Sequence, residues 1–317
     1  MVKIFIDGRE GTTGLQIQER LQARPELELC ELPADLRKDP AARKALINQV
    51  DFVITCLPDD AARQSLSLLE NPRTRLIDPS SAHRVHQDFV YGFPELNGAQ
   101  RERIRKASRV SVPGCHATGV VAALAPLIAR GLVPKDYPVV AHSLTGYSGG
   151  GKKLIATYET ASPNEHEHLR GPRPYGLALR HKHLPEMQHV AGLDSAPLFE
   201  PVVGDFYKGM LVSLPLFSRL LPKKASAKDV HEVLSTHYHG ERFVVVQPLD
   251  AEPLLEDGYL SPLACNDTNR LELFVFGHEQ QILIVARLDN LGKGASGAAV
   301  QNLNLMLGVD EASGLQV

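Results

Sequence analysis

The stretch VKIFIDGREGTTGLQIQERL, residues 2–21, decides the fold class of this chain. Its first residues are mostly apolar and β-branched and stop at Asp7, a pattern typical of a strand buried in a parallel sheet. Glycines then recur at Gly8, Gly11 and Gly14, ahead of apolar residues at helical spacing. A glycine turn between a strand and a helix lets backbone N–H groups approach a pyrophosphate, whose charge the helix N-terminus favours. The spacing is GxxGxxG and not the stricter GxGxxG, so the turn by itself does not identify the ligand.

The same alternation of strand and helix continues along the first third of the chain. Strand-like runs lie at 27–32, 51–58, 74–81 and 108–112, and helix-like segments lie at 40–50 and 61–70. Repeated units of this kind predict an α/β fold with a doubly wound, Rossmann-type parallel sheet. Ligands bind such sheets at the carboxyl ends of the strands. We therefore expect Thr12 and Thr13 in the glycine turn, and Pro58 after the third strand, to contact a dinucleotide.

The segment ELPADLRKD, residues 31–39, bears on which dinucleotide binds. An acidic residue about 20 positions past the glycines suits the ribose hydroxyls of NAD, and a cation suits the 2′-phosphate of NADP. Glu31 or Asp35 could serve NAD, whereas Arg37 and Lys38 sit side by side. The paired cations favour NADP, and a solvated charged loop is the alternative.

Length and composition limit the class of protein. The chain has 317 residues, more than one core usually serves, which predicts two domains. A net charge of −3 gives no general attraction to nucleic acid or to an anionic membrane. The sequence has no apolar run long enough to span a bilayer, and its start reads as a strand and not as a signal peptide. Four cysteines without framework spacing fit reduced thiols, so we expect a cytoplasmic protein.

Cys115 lies in an unusual setting for a cysteine. It follows the strand-like run 108–112 and a Pro-Gly corner, and it precedes a predicted helix over 117–130 that we expect Pro126 to break or shift. A helix N-terminus favours the thiolate, which is the useful nucleophile. The other three cysteines sit inside apolar runs and are expected to be small buried side chains. His116 is adjacent in sequence, but adjacency does not direct its ring at the sulfur, so it is not assigned as the base.

A better partner for the thiol is expected in the histidine-rich segment 158–187. It contains His166, His168, His181 and His183. Paired HxH spacing can place two imidazoles on one face of a strand, which raises the alternative of a metal site. No carboxylate or thiol pattern completes that site, so no metal is expected. A general acid/base histidine among cations, serving an anionic substrate, is favoured for His181 and His183, while a solvent-exposed loop fits His166 and His168 more readily.

Five segments together resemble one known family, the N-acetyl-gamma-glutamyl-phosphate reductases of arginine biosynthesis, in particular their shorter subgroup. They are DGREGTTG (7–14), VPGCHATG (112–119), SLTGYSGGGKK (143–153), RHKHLPEM (180–187) and DNLGKGASGAAVQNLN (289–304). They occur in the expected order over nearly the whole chain, so the resemblance is global.

The resemblance implies a fold similar to those of aspartate-semialdehyde dehydrogenase and glyceraldehyde-phosphate dehydrogenase. An NADP-binding Rossmann domain would cover 1–117 and 290–317, and an α+β catalytic and subunit-contact domain would cover 118–289. Strand-like runs at 137–145, 209–217, 242–247, 270–277 and 281–289 fit a mainly antiparallel or mixed second sheet. A homodimer or homotetramer is the expected assembly.

The resemblance also implies a reaction: NADPH-dependent reduction of N-acetyl-γ-glutamyl phosphate to the semialdehyde, with release of phosphate. Cys115 would form a thioester, and His181 or His183 would act as acid/base. Glu186 would orient an imidazole, although its place after Pro185 also fits a plain helix start. Anion contacts are expected from Ser80, Arg84, Gly149 and Arg180, and further cofactor contacts from Asn290 and Gly294. Glu10 departs from the pattern, because an acidic residue beside a pyrophosphate is unfavourable.

Three alternatives remain open at this point. A related acyl-phosphate reductase, acting on aspartyl phosphate or a lysine-pathway intermediate, would share the catalytic residues. A non-catalytic NADP-binding regulator would keep the fold, but intact Cys115 and RHKH argue against it. A cysteine hydrolase would leave the glycine turn and DNLGKG unexplained.

Overall fold

The computed structural model describes residues 1–249 and 251–317. This part of the chain divides into two compact units. The first unit comprises Met1–Pro94, Gly98–Gly114 and Ala295–Leu315, and the second comprises Glu95–Asn97, Cys115–Gly294 and Gln316–Val317.

The first unit is built on a six-stranded, all-parallel sheet in the order β2-β1-β3-β4-β6-β5. Its strands are β1 Val2–Asp7, β2 Leu27–Cys30, β3 Phe52–Thr55, β4 Arg75–Asp78, β5 Val90–Tyr91 and β6 Arg109–Ser111. Its helices are α1 Thr12–Gln22, α2 Pro40–Ile47, α3 Asp59–Leu68, α4 Gln100–Lys106 and, after the second unit's helices, α10 Gly297–Leu307. The predicted doubly wound sheet is confirmed.

Side chains on alternate positions of β1 explain why helices cover both faces of this sheet. Ile4 and Ile6 belong to one core, together with residues of α1, α4 and α10. Phe5 points the other way, into a second core with Ile47 of α2. A strand buried on both faces needs apolar residues at successive positions, and FVIT in β3 has the same property.

The second unit contains a mixed seven-stranded sheet in the order β11-β12-β13-β10-β7-β9-β8. Its strands are β7 Val140–Gly146, β8 Arg173–Pro174, β9 Leu198–Gly204, β10 Met210–Phe217, β11 Val244–Val246, β12 Leu271–Gly277 and β13 Gln281–Leu288. Its helices are α5 Cys115–Ala129, α6 Gly151–Glu159, α7 Pro163–Leu169, α8 Leu184–Ala191 and α9 Ala227–His237. Pairs β7–β9 and β11–β12 are parallel, and the other pairs are antiparallel. The expectation of a mixed sheet is confirmed, although β8 and β9 were not foreseen.

The expectation that Pro126 breaks the first helix of this unit is wrong. Helix α5 begins at Cys115 and continues through Pro126 to Ala129. A proline ring removes the N–H that would bond to the carbonyl four residues earlier, here that of Ala122. The hydroxyl of Tyr238 donates to this carbonyl at 2.8 Å instead, so the missing hydrogen bond is replaced from outside the helix.

Candidate active site

The glycine turn of the first unit has the form of an anion cradle. Gly8 has φ +87°, and a Cβ there would collide with the carbonyl oxygen of Cys56, so only glycine fits. Helix α1 follows from Thr12, with Gly11 at its N-cap, where glycine offers no side chain to the free N–H groups. The buried hydroxyl of Thr12 has no hydrogen-bond partner within residues 1–249 and 251–317. Free donors at a helix N-terminus fit the pyrophosphate of a dinucleotide.

The charged residues around this turn are paired with one another. Arg37 Nη1 lies 2.7 Å from Glu10 Oε1, and Arg9 forms an ion pair with Glu31, the residue that follows β2. Lys38 is exposed. The charge of Glu10, which looked unfavourable beside a phosphate, is thus balanced by its ion pair with Arg37. The predicted pair Arg37 and Lys38 lies just past the end of β2, so the position fits a cofactor contact, while the cofactor role stays a prediction.

At the end of β4, a buried carboxylate organises the predicted anion contacts. Asp78 accepts hydrogen bonds from Thr55 Oγ1 at 2.7 Å, Ser80 Oγ at 2.7 Å and Ser80 N at 2.9 Å, and its Oδ2 lies 2.5 Å from His83 Nδ1. Burial alone would raise the pKa of the Asp78 carboxyl, but the hydrogen bonds from His83, Thr55 and Ser80 outweigh burial and lower it. The predicted residue Ser80 is therefore held by Asp78.

Arg84 is buried in the same loop. Its guanidinium donates to the backbone oxygens of Val112 at 3.0 Å and Pro79 at 2.9 Å. These bonds fix its position beside the carboxyl ends of β4 and β6.

The predicted cofactor residue Pro58 is exposed and is the N-cap residue of α3.

In the second unit, Cys115 is half-buried at the first position of α5. Gly294 packs directly against it, because a Cβ on Gly294 would lie 2.8 Å from the Cβ of Cys115. The side-chain amide of Asn290 donates to Ser148 Oγ at 3.0 Å and accepts from Gly209 N at 2.8 Å. The segment DNLGKG therefore contacts the Cys115 position through Gly294 and braces the glycine-rich turn 146–151 through Asn290.

His116 occupies the centre of a cluster of imidazoles. Its ring centroid lies 5.6 Å from that of His181 and 5.5 Å from that of His183, while those two rings lie 4.7 Å apart. Its Nδ1 lies 2.7 Å from Ser143 Oγ, and its Nε2 lies 2.9 Å from the hydroxyl of Tyr175. Burial, and then the charge of His181, lowers the pKa of His116 to about 3, so its ring is neutral near pH 7.

His181 and His183 do not lie on a strand, so that interpretation of the HxH spacing is wrong. They occupy a turn, and His183 is the N-cap residue of α8. Pro185 at the start of α8 supplies the fixed φ that favours a helix start here. The turn still places both rings against His116. His183 is buried and His181 half-buried, so each ring remains a candidate acid/base.

The remaining predicted residues differ in exposure. Glu186 is buried, with 1% of its surface exposed, in the first turn of α8. Arg180 and Gly149 are exposed, as a contact with a diffusing anion requires. Lys293 lies in the predicted cofactor segment but is buried, with its Nζ 2.8 Å from Glu95 Oε1, and so acts within the protein interior.

Two residues of this cluster were missed by the sequence analysis, and His116 was set aside. Tyr175 and Ser143 bond to the same imidazole from different elements of the second unit. Burial, and next the charge of Cys115, raises the pKa of the Tyr175 hydroxyl. The sequence signal that could have pointed to Tyr175 was its position in the same histidine-rich segment, six residues before His181.

The comparisons with known proteins agree with this architecture. Residues 3–107 match the family described as semialdehyde dehydrogenase, NAD binding domain, and residues 115–290 match semialdehyde dehydrogenase, dimerisation domain. The N-acetyl-gamma-glutamyl-phosphate reductase 2 of Nostoc sp. is 49% identical over 322 residues, covering 99% of each chain. The chain belongs to the N-acetyl-gamma-glutamyl-phosphate reductase family. A second member of this family, from Pseudomonas putida, is 48% identical over 98% of each chain.

Solved structures show the same fold at much lower identity. A probable aspartate-semialdehyde dehydrogenase from Pseudomonas aeruginosa superposes with a TM-score of 0.72 at 15% identity, covering 96% of this chain and 98% of that one. The enzyme from Francisella tularensis gives 0.70 at 15% identity, covering 97% and 100%. With its membership of the reductase family, this chain is an oxidoreductase that uses a nicotinamide cofactor. Within the part of the chain that is described, no helix is long and apolar enough to cross a membrane.

Proposed function

We propose that the protein reduces N-acetyl-γ-glutamyl phosphate to N-acetylglutamate semialdehyde, with NADPH as reductant and release of phosphate. The observation that carries the proposal is the position of Cys115 at the start of α5, in the unit that also holds His116, His181 and His183. Full-length relatives named for this activity support the choice of substrate.

In the proposed mechanism the thiolate of Cys115 attacks the acyl carbon and expels phosphate, which leaves a thioester. His181 or His183 takes the thiol proton at the start and returns it to the sulfur as the aldehyde leaves. Glu186, buried three residues after His183, orients an imidazole. The nicotinamide, when bound, supplies the hydride. His116 stays neutral because of its low pKa and does not serve as the base.

The proposal assigns the anionic groups of both ligands to named residues. The turn from Gly8 to Gly14, with Thr12 and Thr13, holds the cofactor pyrophosphate, and Arg37 and Lys38 hold a 2′-phosphate. Pro58, Asn290 and Gly294 complete the cofactor contacts. Ser80, Arg84, Gly149 and Arg180 bind the phosphate and carboxylate of the substrate. The unpartnered hydroxyl of Thr12 and the fixed guanidinium of Arg84 support these assignments.

We also propose that the first unit is the NADP-binding domain and that the second is the catalytic and subunit-contact domain of a homodimer or homotetramer. One face of the second sheet exposes apolar side chains on neighbouring strands. They are Val140, Leu198, Phe217 and Leu283. A second copy of the chain covering this face would remove them from water.

The decisive experiment offers the purified protein a panel of aldehydes, with phosphate and NADP or NAD, in the reverse direction. Turnover is expected with N-acetylglutamate semialdehyde and with NADP preferred. Cys115→Ser should abolish turnover and leave cofactor binding intact, while Cys30→Ser, a half-buried cysteine of the first unit, should retain activity. Turnover with aspartate semialdehyde alone would assign the related reductase activity instead, and an active Cys115→Ser variant would exclude the thioester.

A further inference from the structure

Three side chains from separate elements of the second unit form one hydrogen-bonded chain. Ser143 on β7 meets His116 Nδ1 at 2.7 Å, and Tyr175, just after β8, meets His116 Nε2 at 2.9 Å. Ser143 has no exposed surface and His116 has 3% exposed. The backbone N–H of Tyr175 donates to Pro201 O at 2.9 Å, which ties the phenol to β9. The geometry of the chain is therefore fixed by the sheet.

A neutral imidazole has one N–H and one bare nitrogen, so the hydrogen bonds between Ser143, His116 and Tyr175 can be donated in either of two directions. In the first, Tyr175 donates to Nε2 and Nδ1–H donates to Ser143, so the phenol proton is already engaged by His116. In the second, Ser143 donates to Nδ1 and Nε2–H donates to the phenol oxygen. Only the second direction leaves the Tyr175 proton for another acceptor.

The charge that develops at Cys115 decides between the two directions. Burial, and then the Cys115 charge, raises the pKa of Tyr175, so the phenol remains a donor at neutral pH. A negative sulfur, or a negative oxygen on its acyl group, attracts the phenol proton out of the chain and so favours the second direction. His116 does not compete by protonation, since its pKa is near 3.

We propose that Tyr175 donates a hydrogen bond to the acyl oxygen on Cys115 as that oxygen gains negative charge, and that His116, held by Ser143 as the Nε2–H tautomer, positions the phenol for this. Tyr175 is then a catalytic residue, while His116 and Ser143 are positioning residues that act through it. No proton changes place in this step, because the phenol keeps its proton while it donates. The inference rests on the covalent role of Cys115 proposed above.

The kinetic test compares variants along the chain. Removing one donor to a developing oxyanion lowers kcat by about 10²–10³, so Tyr175→Phe should lose about that factor with little change in KM. His116→Leu should lose about tenfold or more, whereas His116→Gln, whose amide can donate near the Nε2 position, should recover part of the loss. Adding His116→Leu to Tyr175→Phe should have little further effect, because the two act as one unit. Tyr137→Phe is the matched control, since it deletes a hydroxyl that accepts from Phe217 N at 2.8 Å elsewhere in the same unit.

A second measurement does not depend on turnover. Nitrogen-15 NMR of histidine-labelled protein, with His116 assigned by comparison with His116→Gln, should show the Nε2–H tautomer. The Nδ1–H tautomer would overturn the inference, as would a Tyr175→Phe variant with the kcat of Tyr137→Phe, or additive losses in the double variant. An inactive wild-type chain with the Nε2–H tautomer would refute the proposed function and leave the positioning of Tyr175 standing.

Discussion

The buried carboxylates at the ends of β1 and β4 in the first unit and the imidazole cluster of the second unit are both buried polar networks, but they differ in charge. Asp7 Oδ2 accepts from Arg43 at 2.8 Å and from Ser65 at 2.7 Å, so its charge is balanced by the guanidinium. Asp78 is likewise surrounded by Thr55, Ser80 and His83. In the second unit, His116 is neutral and its hydrogen bonds can run in either direction.

This difference separates two tasks that polar groups perform in an enzyme. A saturated, charged network has one low-energy arrangement, so it fixes loops such as 79–84 that carry Ser80 and Arg84. A neutral imidazole between two hydroxyls can be hydrogen-bonded in two arrangements, so charge that appears nearby can favour one of them. Loss of a group from the first kind of network should therefore reduce stability, and loss from the second should reduce activity.

The largest effect on stability is expected from Asp78→Asn. The substitution removes a buried carboxylate that holds Thr55, Ser80 and His83 by hydrogen bonds, and removing one partner of a buried charged network costs about 3–5 kcal/mol. Urea unfolding of the variant and of the wild type would measure the loss. Asp60→Asn, at an exposed position of α3, is the control and should change little. Equal stability of the Asp78→Asn variant and the wild type would contradict the structural role of this carboxylate.

A smaller effect, on activity, is expected from Gly294→Ala. The added Cβ would lie 2.8 Å from the Cβ of Cys115 and 3.2 Å from the carbonyl oxygen of Asp289, so the backbone beside Cys115 must shift. Misplacing a reacting group by about 1 Å can cost about 10²-fold in rate. Steady-state kinetics would measure kcat, with Gly171→Ala as the control because a Cβ there meets open space. If both variants turned over equally fast, close packing at Cys115 would not matter for the rate.

The effect that is smallest at neutral pH is expected from protonation of His116, which lowers stability only in acid. In the unfolded chain a histidine has a pKa of about 6.5, whereas burial lowers that of His116 to about 3 in the folded protein. The unfolded state therefore binds a proton first, and stability present above pH 6.5 is lost as the pH falls toward 3, at up to about 1.4 kcal/mol per pH unit. Unfolding free energies measured at several pH values should fall less steeply for His116→Gln than for the wild type. Parallel curves for the two proteins would show that His116 is protonated in the folded state as readily as in the unfolded one.

Features carried by local sequence were predictable. The apolar runs of β1 and β3 and the glycine turn after β1 have short-range signatures, and they indicated the parallel sheet correctly. The Pro-Gly corner before Cys115 likewise indicated a helix start, although α5 begins two residues earlier than expected. The roles assigned to Cys115, His181 and His183 remain predictions that the kinetic experiments will test.

Features that depend on distant partners were not predictable from local patterns. His116 meets Ser143 and Tyr175 from 27 and 59 residues away, and adjacency to Cys115 gave no hint of either. Pro126 looked like a helix breaker because a proline removes a backbone N–H from the helix. The hydroxyl that compensates for this belongs to Tyr238, 116 residues from Ala122, so the local sequence gave no sign of it. In both cases the deciding hydrogen bond is formed only when the second unit has folded.

The replaced hydrogen bond at Pro126 has a consequence for redesign of this enzyme. Helix α5 is buried along almost its whole length, and the hydroxyl of Tyr238 donates to the carbonyl oxygen of Ala122 near its middle, so packing and this hydrogen bond hold the helix in place. Under the proposed mechanism its first residue, Cys115, would therefore hold the acyl group at a fixed position. An engineer seeking a new substrate should leave this helix unchanged and vary the exposed loop 176–180, where Leu177, Leu179 and Arg180 face solvent.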